Sequence, residues 1–329
     1  MSNVMLHVHN VSIVGGVTGF ICDMADAFPQ FFHASLFVRD QETRDSLQML
    51  NDKGVRSFHG PLRREVVRDI DPAVVILHNI GGEDVQKPWG WIRDWPTVSW
   101  HHSAVRPTVQ TDLHIFVSRY LRGLYQGLID SGYIRNWRVV PPCINEARFA
   151  GSFPSADRVI GKISTPDKRQ KYPRFLLQAA KDLGCKLMIP GGGRFYGSDP
   201  DLISVATSWF GVPGFLSRMR VFLYVNETGF GPETWCRSVT EALAAGLPVV
   251  AENRGGVAEQ IQDGVNGFLV DPSDYYLMKA RVEQLLLDGQ LAARFGSAGR
   301  AWVKANAGLQ VLRDGLSDHL LGALVGAPA

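Results

Sequence analysis

The chain has 329 residues, with 34 Lys and Arg against 32 Asp and Glu for a formal net charge of +2, which excludes the sequence-wide positive field of a dedicated nucleic-acid binder. At 45% hydrophobic and 20% charged, with 34 glycines, it has globular composition, which excludes disorder, collagen and small disulfide scaffolds. At roughly 150 residues per domain the length predicts two domains.

Apolar, β-branched-rich runs alternate with helical patterns along the whole chain, which predicts an α/β protein with parallel sheets covered by helices on both faces. In the first half, strands are expected near residues 6–13, 35–39, 55–58, 74–78, 97–100, 113–117 and 138–140, with helices near 19–28 and 118–129. Pro141 and Pro142 end that series, and the small, polar stretch 150–157 is of the kind that joins domains. The expected division is therefore 1–150 and 151–329. Alternation restarts at 158–163, with strands near 186–189, 221–225, 248–251 and 267–270 and helices near 173–183, 238–245 and 275–287. Residues 290–324 read as helical, free to pack back on the first domain. Two doubly wound domains facing across a cleft would place their ligand at the carboxyl ends of the strands, so the loops after strands should carry the chemistry.

No run approaches the ~18 consecutive apolar residues of a bilayer span, and MSNVMLHVHN is not a basic segment followed by a long apolar one. Cys22, Cys143, Cys185 and Cys236 lack C-x-x-C or Cys/His ligand spacing, so no zinc site or disulfide framework is expected. The reading is a cytoplasmic protein with at most peripheral membrane contact.

The most informative segment runs from Asn226 to Val250 as strand exit, loop, helix and strand. Glu233 and Glu241 are eight positions apart, ~80° of rotation and ~12 Å of rise on a continuous helix, too far to grip one atom. They suit the two ends of a long ligand. With Glu233 in the loop and Glu241 in the helix, one carboxylate can accept from sugar hydroxyls while the other holds a ribose. The intervening amides of Trp235, Cys236, Arg237 and Ser238 would then face a diphosphate. A bare pair of glutamates would ordinarily be solvated surface residues; the surrounding sequence decides otherwise.

Glu233-x7-Glu241, continued by Ala242-Leu243-Ala244-Ala245-Gly246-Leu247-Pro248-Val249-Val250, Arg254-Gly255-Gly256-Val257-Ala258-Glu259 and Asp263-Gly264-Val265-Asn266-Gly267-Phe268-Leu269-Val270, closely resembles the retaining glycosyltransferases of family 4. The resemblance implies the GT-B fold: an N-terminal Rossmann-like domain binding the acceptor and a C-terminal one binding the nucleotide sugar. It implies retaining transfer from a nucleoside diphosphate sugar, UDP favoured over GDP, to a hydroxyl of a small molecule or glycan, without cofactor or metal. Glu233 would orient the donor sugar.

The same resemblance assigns the donor diphosphate to a strand and basic loop at Val159–Ser164 and beyond. Lys162 stands where an Arg is usual, a point charge replacing a bidentate fork. Spacing to the next helix favours Lys171 over Lys168 as the second cation. Gly191-Gly192-Gly193 resembles a glycine turn of the family. Gly15 and Gly16, after the first strand, resemble the loop that closes over the donor phosphates. In Ser99-Trp100-His101-His102-Ser103, His102 is the first choice for the histidine that touches the donor sugar and reacting region, and His101 the second. Adjacent residues of an extended strand point oppositely, which argues against a metal pair. Cys236 replaces a common glycine.

Asp69-Ile70-Asp71 imitates a metal-binding D-x-D but sits before Pro72 where a helix gives way to a strand, which is turn chemistry. Arg63, Arg64 and Arg68 read as a solvated face more readily than as an anionic-acceptor or membrane-surface patch. Two competing functions are a nucleotide-sugar epimerase and a non-catalytic GT-B-fold partner subunit. The segment Val14–Gly19 lacks the G-x-G-x-x-G of a dehydrogenase.

Overall fold

The computed structural model describes residues 3–10, 16–38, 44–81, 87, 89–107, 109–164, 171–206, 208 and 211–316. The chain forms two compact units, Met1–Asn145 with the segment from Gly308 onward, and Glu146–Ala307.

Among the described residues, the first unit holds seven parallel strands in the order β3-β2-β1-β4-β5-β6-β7. They are β1 (Val4–His9), β2 (Phe32–Phe37), β3 (Arg56–His59), β4 (Val74–His78), β5 (Thr97–His101), β6 (Leu113–Phe116) and β7 (Trp137–Val139). Every residue of β4, β5 and β6 is buried, as expected for parallel strands covered on both faces. One apolar core joins Leu6, Val8, Leu36, Val75, Leu77 and Ile92. The helix α1 (Gly16–Ala27) buries Val17, Phe20, Ile21 and Met24. It is followed by α2 (Arg44–Asp52) and α3 (Arg64–Ile70). Asp71 ends α3 in the left-handed region at φ 51°, its amide donating to the Val67 carbonyl, so the D-x-D lookalike is a helix stop.

The single helix expected over 118–129 is two, α4 (Arg119–Leu124) and α5 (Gln126–Asp130). Ser118 caps α4 by accepting from the Leu121 amide, and Tyr125 leaves helical geometry between them. The expected first strand extends too far: β1 ends at His9, and residues 11–13 lie outside the described set. The segment after Gly308 belongs to this first unit. Ile144 bridges Gly308, Arg138 Nη1 donates to the Gly315 carbonyl at 3.1 Å, and Arg313 Nε donates to that of Ala27 at 2.8 Å.

Among the described residues, the second unit repeats the plan with six parallel strands in the order β10-β9-β8-β11-β12-β13. They are β8 (Val159–Gly161), β9 (Lys186–Pro190), β10 (Leu202–Val205), β11 (Val221–Tyr224), β12 (Val249–Glu252) and β13 (Gly267–Val270). Strand β10 had no counterpart in the sequence reading; it is a short, half-exposed edge strand with too little apolar patterning to announce itself. Its helices include α6 (Arg174–Asp182), α7 (Gly193–Tyr196), α8 (Val212–Leu216), α9 (Arg237–Ala244), α10 (Gly255–Ala258), α11 (Tyr275–Leu287) and α12 (Gly289–Asn306). Gly246, at φ 76°, closes the turn after α9, and Gly296 lets α12 approach it: a Cβ there would lie 2.1 Å from the Gly246 carbonyl oxygen. Strand order reverses between β8 and β11, the switch point at whose carboxyl edge doubly wound sheets hold their ligands. Among the described residues, no helix is long and apolar enough to cross a membrane.

Candidate active site

The loops leaving β8 and β11, together with the start of α9, bring the candidate residues of the second unit together. Lys171 precedes α6, and its Nζ lies 2.7 Å from Oε1 of Glu233. Tyr224, the last residue of β11, donates its hydroxyl to the same oxygen at 3.2 Å. Burial raises the Tyr224 pKa well above the usual phenol range, which keeps it a donor. The Phe230 ring lies 5.5 Å from Lys171 Nζ. The predicted diphosphate cation and the predicted sugar-orienting carboxylate are thus one ion pair. Lys168, the alternative cation, lies outside the described residues.

Lys162 is placed differently from the role drawn from sequence. It is fully buried, and its Nζ donates to the Val225 carbonyl at 2.8 Å and to Asn226 Oδ1 at 2.7 Å. The Tyr224 ring lies 4.5 Å away. Burial pushes its pKa down to about 7, against the opposing pull of Glu252. A lysine here braces the floor of the loop that holds Glu233.

That floor extends to residues the sequence reading left without a role. Glu252, a fully buried acid at the end of β12, accepts from the Asn226 amide at 3.0 Å, from Asn226 Nδ2 at 3.2 Å and from Arg254 Nη2 at 2.9 Å. Arg254 Nη1 in turn holds the Thr228 and Phe230 carbonyls at 3.3 and 3.0 Å. The available signal was a charged residue closing the otherwise apolar strand Val249-Val250-Ala251-Glu252.

The first turn of α9 carries the other half of the motif. Arg237 Nε donates to Glu241 Oε1 at 2.9 Å, an i,i+4 pair with both side chains largely buried. Cys236 occupies the N-cap position without a side-chain cap bond; its Sγ lies 3.3 Å from Ser238 Oγ. Burial raises the thiol to about 11, so it is not a nucleophile near neutrality. Ser238 Oγ donates to the Ile163 carbonyl at 2.8 Å, tying the β8 exit to the helix start. Trp235 is held by its indole N–H on Thr240 Oγ1 at 3.1 Å. The structure therefore commits the side chains of Trp235, Cys236 and Ser238 to the protein, leaving their backbone as the candidate anion cradle.

In the first unit, Gly15 lies outside the described residues. Gly16 opens α1, and a Cβ there would meet nothing within 4 Å. The two histidines separate as alternation requires. His101 is buried against His114, 3.0 Å between Nε2 and Nδ1, and stacks on Phe116; burial lowers it to about 3 and His114 to about 4. His102 is half-buried just past β5, with its ring 3.0 Å from His78. Asn79 Oδ1 accepts from the amides of His102 and Ser103 at 2.8 and 3.0 Å. Among the described residues no group of three His, Cys, Asp or Glu is arranged to hold a metal ion.

Residues 205–302 match the glycosyl transferases group 1 family. The group 1 region contains the Glu233/Glu241 pair, the Glu252–Arg254 brace and Gly255-Gly256. A segment of 82 residues is 40% identical to the GDP-mannose-dependent alpha-(1-6)-phosphatidylinositol monomannoside mannosyltransferase of Mycobacterium tuberculosis, covering 25% of this chain and 21% of that protein. An 80-residue segment is 35% identical to spore coat protein SA of Bacillus subtilis, covering 23% of this chain and 20% of that one. The chain thus spans about a fifth of the length of these curated relatives. Over the whole fold, Anabaena Alr3699/HepE in complex with UDP-glucose superposes with a TM-score of 0.75 at 17% identity, covering 97% of this chain and 99% of that one. A glycosyltransferase from Rickettsia africae gives 0.75 at 14%, covering 99% and 100%. The fold is GT-B, two parallel-sheet α/β domains.

Proposed function

We propose that the chain is a metal-independent glycosyltransferase that moves a sugar from a nucleoside diphosphate sugar to an acceptor hydroxyl with retention of configuration. The observation that carries this reading is the Lys171–Glu233 pair at 2.7 Å beside the first turn of α9, with Glu233 and α9 inside the group 1 region and Lys171 brought to them from the loop before α6. Cleaving the anomeric bond builds negative charge on the leaving phosphate and positive charge on the sugar, so fixed donors near the phosphate dominate the stabilisation. Lys171 and the amides at the start of α9 supply those donors, which makes a divalent ion unnecessary. A diphosphate outbids one carboxylate for Lys171. Glu233, released, accepts from sugar hydroxyls, and Glu241 holds the ribose. Retention follows from front-face attack by the acceptor hydroxyl. The first unit, with His102 at its carboxyl edge, receives the acceptor, a small molecule or a glycan end.

UDP is the favoured carrier, in keeping with the shared fold of a protein solved with UDP-glucose. The GDP-mannose dependence of a relative makes GDP the necessary second arm. Calorimetric titration of UDP and GDP into the wild type and Glu241→Ala, with and without EDTA, tests the reading, followed by mass-spectrometric detection of sugar release from a donor panel. Chelator-insensitive binding of one nucleotide, lost in the variant, is the expected result. Absence of binding to either would favour the non-catalytic subunit, a reading to which the buried Lys162 lends its weight.

A further inference from the structure

Four histidines of the first unit stand in an unbroken hydrogen-bonded row across four neighbouring strands. His33 is the second residue of β2, His7 the fourth of β1 and His78 the last of β4; His102 follows β5 by one residue. The strands adjoin in that order, so the row climbs the sheet to its carboxyl edge. His33 Nδ1 lies 3.0 Å from His7 Nε2, His7 Nδ1 lies 3.1 Å from His78 Nε2, and His78 Nδ1 lies 3.0 Å from His102 Nε2. At the far end, His33 Nε2 lies 3.1 Å from the Phe28 carbonyl oxygen.

A carbonyl oxygen only accepts, so His33 must carry its hydrogen on Nε2. A neutral imidazole with Nε2–H has a bare Nδ1, so His7 must donate from Nε2. The same step repeats at His78 and again at His102. Every ring is thereby fixed in one tautomer by the single Phe28 carbonyl at the far end of the row. Burial lowers His7 and His78 well below the ordinary histidine range; it lowers His33 too, although the Phe28 carbonyl and Asp26 pull the other way. Neutral rings are what the row requires.

We infer that His33, His7 and His78 are positioning residues that lock His102 as the Nε2–H tautomer and present its Nδ1 as an acceptor. A group that meets Nδ1 must bring a hydrogen, as a sugar or acceptor hydroxyl does. Phe20 of α1 closes the row from one side, 6.0 Å from the His78 ring and 5.3 Å from that of His102, and Trp100 stacks on His102 at 6.3 Å. Asn79 fixes the His102 backbone. Ring orientation and proton position are thus set together. The role of Nδ1 toward a hydroxyl rests on the transferase reading; the tautomer itself does not.

The test is nitrogen-15 NMR of histidine-labelled protein, with two variants at the row's last internal position. In His78→Gln the amide oxygen can accept from His102 and the amide N–H can donate to His7, keeping the direction of the row. In His78→Phe both are lost. The wild type and His78→Gln should show His102 with a bare Nδ1 and a slowly exchanging Nε2–H. His78→Phe should lose that slow exchange and shift Nδ1 toward the averaged value of a ring that samples both tautomers. A hydrogen on Nδ1 of His102, or a His102 signal unchanged in His78→Phe, would overturn the inference. In the transfer assay, His78→Phe should lower kcat by about tenfold or more with donor KM little changed, and His78→Gln should restore most of it. A fixed tautomer in a chain without transfer activity would leave this inference standing and count against the function instead.

Discussion

The carbonyl oxygen of Thr234 occupies the space in which a side chain at position 256 would begin, for a Cβ on Gly256 would stand 1.8 Å from it. The Gly256 amide also donates to the Glu233 carbonyl at 2.8 Å, and Gly255 beside it sits at φ 57°. The backbone that presents Glu233 therefore rests directly on this glycine pair. Gly256→Ala should push the 233–234 backbone away and weaken nucleotide binding at least about tenfold, a loss of ~1.4 kcal/mol. Circular dichroism should stay unchanged. Calorimetry with the nucleotide that binds the wild type reads the effect; full affinity in Gly256→Ala would mean that the loop position is irrelevant to the ligand.

Lys171 and Glu233 should separate in their consequences although they are paired. In the proposed function Lys171→Ala removes a charge-assisted contact to the diphosphate, and it should cost about 10- to 100-fold in nucleotide affinity. Glu233→Gln should leave that affinity within a few-fold while cutting transfer by about 100-fold or more, because the proposed function uses its charge at the sugar. Equal losses of binding in both variants would mean that the pair is a structural tie.

Lys162 gives a pH signature with a definite sign. Its pKa lies near 7 in the folded chain against 10.5 ordinarily. Below pH 7 both states carry the proton and the contribution is flat. From pH 7 upward to about 10 the unfolded chain binds the extra proton, so this residue's contribution to stability rises with pH. The rise is on the order of 4 kcal/mol. Urea unfolding of the wild type and Lys162→Met at pH 6.5 and 9.5 should show the wild type gaining on the variant by a few kcal/mol. A pH-independent difference would mean that the ammonium is fully accommodated.

Arg300 of α12 donates to the carbonyls of Ala244, at 3.0 Å, and Ala245, at 2.7 Å, where α9 ends, and also to those of Phe149 and Ser152. Arg300→Met should destabilise the second unit by about 2–4 kcal/mol, because buried carbonyls lose their donors. Thermal unfolding monitors it, and nucleotide affinity below the transition should be unaffected.

The parallel strands were legible because buried β-branched runs differ from their surroundings: β4, β13 and α11 lie where the sequence places them. What escaped had weak local patterning, as in β10, or was decided by tertiary contacts. Tyr125 divides a helical pattern that periodicity reads as one. The motif's spacing put Glu233 in a loop and Glu241 in a helix, and the two residues lie so, because one short segment carries both. The resemblance put Lys162 at the donor diphosphate, whereas its Nζ is engaged by the Val225 carbonyl and Asn226 Oδ1, contacts that no local pattern announces. No local pattern could reveal the histidine row, since its members are 26, 71 and 24 residues apart in successive bonds.

The bridge between Ile144 and Gly308 makes the second unit an insertion within the first. Its two ends, Glu146 and Ala307, leave from neighbouring points, so all of its own strands and helices are made before the first unit has its last described segment. During synthesis from the N-terminus the order of completion is inverted relative to the order of initiation: the unit begun first waits for Gly308–Leu316. A ribosome-bound chain with residues up to Ala307 exposed should accordingly show a protease-resistant second unit, while Arg138 and Ala27 still lack the contacts that Gly315 and Arg313 supply and the first unit remains open to cleavage.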